Sequence, residues 1–445
     1  VPLYIKSVAN FLTLIDDNGL VHKSNLIKIS WEKVPLQKPL KISRKVVGSF
    51  ASFESAQRSA LNLEKQGLSP IIAHPLDWEI WLPNNAETSD LVGVYNIQET
   101  LDFEIKPVLN IDNKKIVLSG PIKINAPDGI LLDSGIYQGP FILLPDAYGT
   151  WTFIEKVHIE EYLKGVVPHE IGFLSPLAAL SAQAILARTW ALSNLDRFQI
   201  DGYHLCSNTQ CQVYKDPSKV NPRILLAIQN TKGQILLSDN KPIHAVYHAS
   251  NGGVMALPSE AWSMKDPAYF RVKLDGSNRW LNKFNLPLNS NTSVTSFLSE
   301  KDGANGNTHK FFRWNRIFTS NELMKMLNVK NEDHLTIGRI EVLRRGPSGR
   351  VIALEIYNQS NSLIRVLKLD EIRRTIRNLP STLFVVKELE DGLWHFSGGG
   401  FGHGVGLSQA GAIDLALQGL TSKQILQHYY PGAMYGTLLQ LPKAP

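Results

Sequence analysis

Cysteine is almost missing from this chain: 445 residues hold only Cys206 and Cys211, so at most one disulfide can form. Long apolar runs are missing as well, and nothing approaches the ~18 consecutive apolar residues that mark a membrane-spanning helix. Charge of one sign is not concentrated. The net charge of +6 and pI near 9.0 suit an anionic polymer as partner. Lys and Arg are scattered, however, without the basic stripe of a nucleic-acid surface, so no nucleic-acid partner is expected. The chain opens on Val1 rather than Met, which points to a trimmed product whose targeting segment is missing. What is present is ordinary for a globular protein of two or three domains, with 43% hydrophobic and 19% charged residues.

The two cysteines stand in His204-Leu-Cys206-Ser-Asn-Thr-Gln-Cys211-Gln-Val-Tyr214. Their chemistry leaves three readings open: one disulfide, a metal site completed by His204, or two free thiols. Structural zinc normally takes four ligands, and a fourth is not visible here.

The pattern along the chain predicts a mixed α+β, multi-module protein, with β-rich N-terminal modules ahead of a domain of mixed sheet and helix. Residues 1–41 alternate short apolar strands and polar turns. In 42–89, a strand at Ile42–Phe50 precedes an amphipathic helix with Ser52 as N-cap and Gly67 as C-terminal stop. Strands at Ser69–Ala73 and Trp78–Leu82 complete a βαββ unit that resembles a sporulation-related repeat (SPOR-like) domain. Residues 90–150 read as a further β-rich module, broken by Gly, Pro and Asn-Asp. The remainder, 151–445, alternates helices (176–197, 221–231) with strands (Gln234–Ser238, Ile243–His248). A polar, irregular stretch at 276–336 reads as an insertion carrying one or two helices. Strands are expected again at Thr336–Leu343 and Val351–Tyr357, then a helix at Leu369–Ile376.

Two segments carry candidate chemistry. In Tyr162-Leu-Lys-Gly-Val-Val-Pro-His-Glu170-Ile-Gly, a carboxylate ends a short apolar run ahead of an Ala-rich helix. An apolar setting suits a buried general acid, while proximity to a helix start suits a carboxylate that only favours the dipole. In Ser397-Gly-Gly-Gly-Phe401-Gly402-His403-Gly404-Val-Gly406-Leu-Ser408-Gln409-Ala-Gly411, the glycines miss the dinucleotide register and lack the Lys-Ser/Thr of a phosphate loop. Nucleotide binding is therefore not expected. Glycine instead allows close backbone approach to a ligand, with His403 accessible between two of them.

These segments, with Ala182-Gln183-Ala-x-x-Ala-Arg188-Thr189, Cys211-Gln-Val-Tyr214, Ala245-Val-Tyr247-His248-Ala-Ser-Asn251-Gly-Gly253 and Ile425-Leu-x-His428-Tyr-Tyr-Pro-Gly432, resemble the stage II sporulation protein D family (SpoIID/LytB type) over roughly residues 145–437. The resemblance implies a peptidoglycan lytic transglycosylase that prefers glycan strands denuded of stem peptides, or its non-catalytic alternative, a glycan-binding amidase enhancer. It implies Glu170 as the catalytic acid. Gln183, Arg188, Tyr214, Tyr247, His248, Gly402, His403, Ser408 and Gln409 are the substrate-binding candidates, the aromatics by stacking on sugar rings. Arg188 reads equally as half of a structural ion pair. Some relatives bind zinc through two cysteines and a histidine, which makes Cys206, Cys211 and His204 the metal candidates. The family usually has Asp before the first cysteine where this chain has His204-Leu205. No cofactor is required for the acid mechanism, and zinc would be structural. The expected partners are peptidoglycan strands and a cell-wall amidase, and the expected location is extracytoplasmic, in the cell envelope or periplasm.

Overall fold

A computed structural model describes residues 1–111, 114–132, 135–328, 336–390 and 392–441. The α-helices along them are α1 (Phe53–Lys65), α2 (Ile159–Ile171), α3 (Leu177–Ser193), α4 (Pro222–Asn230), α5 (Asn278–Lys283), α6 (Asn291–Leu298), α7 (Ser320–Met326), α8 (Asp370–Thr375), α9 (Gln409–Leu417) and α10 (Ser422–Tyr429). With strands in several separate sheets, the fold is mixed α+β as expected. Among the described residues no helix is long and apolar enough to cross a membrane. The chain divides into two compact units: Val1–Phe173 with Asn194–Lys232, and Leu174–Ser193 with Gly233–Pro445.

The first unit is built on a long antiparallel ribbon. The strand Leu26–Phe50 pairs with Val94–Ile111, from Ile29↔Leu109 to Val47↔Val94, with one register shift between Pro35 and Leu40. This continuous ladder runs through the boundary expected at residue 41, and strands of the segments 1–41, 42–89 and 90–150 share one sheet. Inward residues alternate with polar ones, as a half-buried sheet requires, and Ile5, Ile27, Ile29, Val108 and Leu109 are buried. A second, five-stranded sheet orders Trp151–Glu155, Phe141–Pro145, Ile122–Asn125, Leu12–Ile15 and Val21–Ser24. Helix α1 starts where expected: the Ser52 side chain accepts from Ser55 N, and Gly67 stands just beyond the end at φ +82°. Phe53 and Ala56 of α1 pack on Trp78 and Phe198.

The second unit centres on α3, whose Ala-rich sequence is buried over thirteen of its seventeen residues. It packs on α9, α10 and the strand Gln234–Ser238, which pairs with Met434–Thr437. Two further three-stranded sheets belong to this unit. One joins Trp314–Thr319, Leu393–Gly398 and Phe384–Glu390; the other joins Ile337–Arg345, Val351–Asn358 and Leu363–Lys368. A shared apolar core of Trp314, Phe318, Leu354, Ile356, Phe384 and Phe396 lies between their residues. The stretch expected as an insertion holds α5, α6, α7 and the strand Trp314–Thr319. Its part at 329–335 lies outside the described residues.

Candidate functional site

In the first unit, Glu170 lies in the last turn of α2, not beside a helix start. The apolar run ahead of it is itself helical. His158 caps the N-terminus by accepting from Glu160 N at 3.3 Å, and Glu160 and Glu161 place acidic charge at the positive end. Pro168 sits within the final turn, and Gly172, at φ +96°, ends the helix. Glu170 therefore faces the carbonyl end of its helix, so the dipole gives its carboxylate no support. The support comes from another loop: Val213 N donates to Glu170 Oε1 at 2.7 Å. The residues around Val213 all fasten that loop to α2. Tyr162 OH donates to Gln212 Oε1 at 3.0 Å, Lys215 N donates to Gly165 O at 3.2 Å, and Tyr214 stacks on Tyr162 with centroids 5.2 Å apart. Gly165 is required by this contact, because a Cβ there would lie 2.5 Å from the Tyr214 ring and 2.6 Å from Lys215 O. Tyr214 OH donates to Glu155 Oε2 at 2.7 Å, and burial pushes the phenol far above its ordinary range. With one contact to Tyr162 and another to Tyr137, the Tyr214 ring braces the loop.

The same loop brings Cys206 and Cys211 together. Their Sγ atoms stand 2.7 Å apart, and Cys211 Sγ accepts from Cys206 N at 3.1 Å. The Cys211 hydrogen bond and the nearby Arg197 hold the Cys206 thiol below its usual range, while burial pushes Cys211 up. His204 is exposed, and among the described residues no group of three His, Cys, Asp or Glu side chains is arranged to hold a metal ion. Both thiols are free cysteines in this structure.

In the second unit, the glycine-rich segment forms a loop beside Tyr247–His248, which pairs in parallel with Leu407–Ser408. Gly402 (φ +113°) lies against His248, where a Cβ would approach its Cβ to 2.6 Å. Gly404 (φ +82°) lies over the Arg350 guanidinium, where a Cβ would meet Nη2 at 2.1 Å. His403 accepts from Val405 N through Nδ1 at 3.1 Å and reaches Tyr247 O through Nε2 at 2.9 Å. This pairing assigns the proton of a neutral ring to Nε2. Trp262 lies 4.8 Å from the His403 ring. His248 is buried and donates through Nδ1 to Val405 O at 3.1 Å. Burial, then the charges of His403, Arg350 and Arg373, push its pKa well below the ordinary histidine value.

Several of the substrate-binding candidates make internal hydrogen bonds. Gln183 and Arg188 are fully buried on α3. Gln409 Nε2 donates to Gln183 Oε1 at 3.4 Å, and Arg188 Nη1 donates to Gln234 O at 2.9 Å. Arg188 thus bonds a strand carbonyl, and Thr189 Oγ1 accepts from Leu236 N at 3.0 Å on the same strand. Ser408 caps α9, its Oγ accepting from Gly411 N and from Asn251 N at 3.3 Å each. Tyr247, Gly402 and His403 are only half-buried, which leaves them open to contact with a ligand.

Residues 147–237 match the model of the Stage II sporulation protein family, SpoIID. The relatives agree. Stage II sporulation protein D of Bacillus amyloliquefaciens is 28% identical over 294 residues, covering 63% of this chain and 74% of that protein. Residues 147–237 thus carry a SpoIID segment, and the chain is similar to stage II sporulation protein D over 294 residues. An amidase enhancer of Bacillus subtilis is 29% identical over 288 residues; the match covers 61% of this chain but only 39% of that longer protein. An uncharacterized protein of Brachyspira hyodysenteriae is 25% identical over 350 residues, covering 77% of this chain and 84% of that one. Residues 256–406 match a separate model, a domain of unknown function (DUF8618).

The SpoIID segment holds Glu170 and every residue of the loop that fastens it. Two buried groups outside that segment escaped the sequence reading. Asp275 is fully buried and accepts from Asn251 (2.6 Å), Asn305 (2.8 Å), His428 (2.9 Å) and Tyr429 (2.9 Å). Burial pushes its carboxyl up, but the hydrogen bonds and His428 outweigh it and hold the pKa below the usual range. Asp275 thus joins the Asn251-Gly-Gly and His428-Tyr-Tyr motifs of this SpoIID relative. Arg350 likewise donates to Asn251 O at 2.9 Å and Ser348 Oγ at 3.0 Å beneath the glycine loop. Motif residues separated by over 150 positions converge on these two side chains, and no local pattern signals that.

Proposed function

We propose that this chain, with its SpoIID segment, has a cell-wall role as a peptidoglycan lytic transglycosylase, acting on strands stripped of stem peptides. The observation that carries this reading is the Glu170 carboxylate, held by Val213 N–H at 2.7 Å within the family-matched segment. A positioned carboxyl of this kind suits general acid–base work. Protonated Glu170 would donate its proton to the glycosidic oxygen between N-acetylmuramic acid and N-acetylglucosamine as the C1–O bond breaks. The muramic acid's own 6-hydroxyl would then bond to C1, and the Glu170 carboxylate would take the hydroxyl proton. The products are a 1,6-anhydromuramoyl end and a free 4-hydroxyl, with no water consumed and the acid restored. Hydrolases need a second carboxylate to manage water or form a covalent intermediate; an internal nucleophile removes that need.

Loss of a positioned acid costs ~10²–10⁴-fold in rate, so Glu170→Gln should abolish most product. The measurement is mass spectrometry of anhydro-sugar ends from denuded strands incubated with each protein. Equal yields from both would refute the assignment.

The amidase-enhancer relative favours a second reading, in which the chain holds glycan and stimulates an amidase without cutting. That reading predicts no anhydro product from either protein, with binding to denuded glycan unaffected by Glu170→Gln.

A further inference from the structure

Within the second unit, a cavity of ≈ 670 Å³ is lined by the exposed Phe401 of the glycine-rich loop. Its size is that of a small-ligand pocket. Three arginines line it, Arg316, Arg373 and Arg377, against a single acid, Glu322. Glu322 is already engaged, accepting from Thr319 N and Oγ1 at the start of α7. Arg316 directs Nε to Asn378 O at 3.2 Å and Nη1 to Asn315 O at 2.8 Å, which fixes its plane. Arg373 Nε is shut off from solvent and has no hydrogen-bond partner. A sealed guanidinium N–H without an acceptor is costly, so it marks a place where an acceptor belongs. Two rings form an apolar wall beside the cations: Phe311 and Phe401 pack with centroids 4.8 Å apart at 34°. Gly402 N donates to Pro380 O at 2.9 Å, tying the cavity's rim to the loop that carries His403.

We propose that this cavity binds a carboxylate borne on a sugar ring, and that its ligand is the lactyl carboxylate of muramic acid. Planar guanidinium groups match a carboxylate's two oxygens, and aromatic faces match a pyranose. This inference rests on the glycan reading above and adds the chemical feature by which a stripped strand is told from an intact one. In an intact strand the lactyl group is bonded to the stem peptide through an amide. Amide hydrolysis adds water across that bond, releases the peptide amine and leaves a free carboxylate on the sugar. The cavity therefore reads the product of an amidase reaction. All six named residues fall within 256–406, so the domain of unknown function would supply this recognition.

The test measures binding of the full chain carrying Glu170→Gln, which prevents turnover. The ligands are denuded glycan, denuded glycan whose lactyl carboxylates are converted to methyl amides, neutral chitooligosaccharide, and free stem peptide. Arg377→Gln, at an exposed position, and Arg373→Gln are compared, with circular dichroism as the check on folding. The expected result is at least roughly tenfold tighter binding of denuded glycan than of its amide form, a preference lost in Arg377→Gln, since a charge-assisted hydrogen bond supplies about that factor. Equal binding of the two glycan forms by the unaltered cavity overturns the proposal. So does an undiminished preference in folded Arg377→Gln and Arg373→Gln proteins. Competition by stem peptide alone would place the carboxylate on the peptide and overturn the lactyl assignment. Absence of binding to every glycan, chitooligosaccharide included, sinks the glycan reading itself and this inference with it.

Discussion

His248 and His403 stand with ring centroids 5.0 Å apart, yet their hydrogen bonds assign them opposite tautomers. His248 gives its Nδ1 proton to Val405 O, and its Nε2 is buried without a partner. Adding a proton to Nε2 would bury a charge beside Arg350 and Arg373, which is why its pKa falls well below the ordinary value of 6.5. The unfolded chain takes up that proton near the ordinary value and the native state refuses it. The stability His248 contributes is therefore fully present above about pH 6.5 and is lost as the pH falls below it, by at most ~1.4 kcal/mol per pH unit. In His248→Asn the amide still donates to Val405 O, so urea denaturation should show a shallower loss of stability between pH 6.5 and 5 than in the unaltered protein. Parallel slopes would mean that His248 is not the group excluded from protonation.

At the scale of elements, α2 and its clamp illustrate what local pattern can and cannot tell. Helix α1 was legible because every signal agreed: a Ser cap, an amphipathic period and a Gly stop. Helix α2 was not, because Val166, Val167 and Pro168 are poor helix formers next to a short apolar run. It forms because His158 caps it, Glu160 and Glu161 suit its positive end, and its inner face is buried on Tyr214. Glu170 stood out in the sequence by its place among the motifs of the resemblance. Its support by Val213 was not, because the partner lies 43 residues away. The same distance problem hid the structural role of Gln183, whose partner Gln409 is 226 residues on. Gly165→Ala tests the clamp. The added methyl must displace the Tyr214 ring or the Lys215 carbonyl, at a cost of ~1–3 kcal/mol for overpacking. We expect a lowered urea midpoint together with a loss of the glycan cleavage proposed above, since Val213 shifts with the loop of Tyr214. A variant as stable and active as the parent would mean that the clamp does not position Glu170.

At the scale of the whole molecule, neither unit is a continuous stretch of chain. The second unit takes α3 from between two parts of the first, so a fragment covering 233–445 lacks the helix on which α9, α10 and the strand Gln234–Ser238 pack. Such a fragment should lose near-ultraviolet circular dichroism and bind a hydrophobic dye, whereas 174–445 carries every element of that unit. A cooperatively unfolding 233–445 fragment would contradict the central place given to α3. This arrangement was not legible because composition changes along the chain mark local modules, while a core is defined by contacts between distant segments.

The burial of α3 has a further consequence for biosynthesis. The helix leaves the ribosome as an Ala- and Leu-rich rod destined to be buried on nearly every side, and its packing partners α9 and α10 are encoded more than 200 residues later. At ~5–20 residues per second, translation of the intervening chain occupies roughly 10–50 s. For most of that interval, of its own unit's partners, α3 has only the early strands Gln234–Ser238 and Lys241–Pro242 to fold against, so the faces that α9 and α10 later cover need shielding by other parts of the nascent chain or by a holding chaperone.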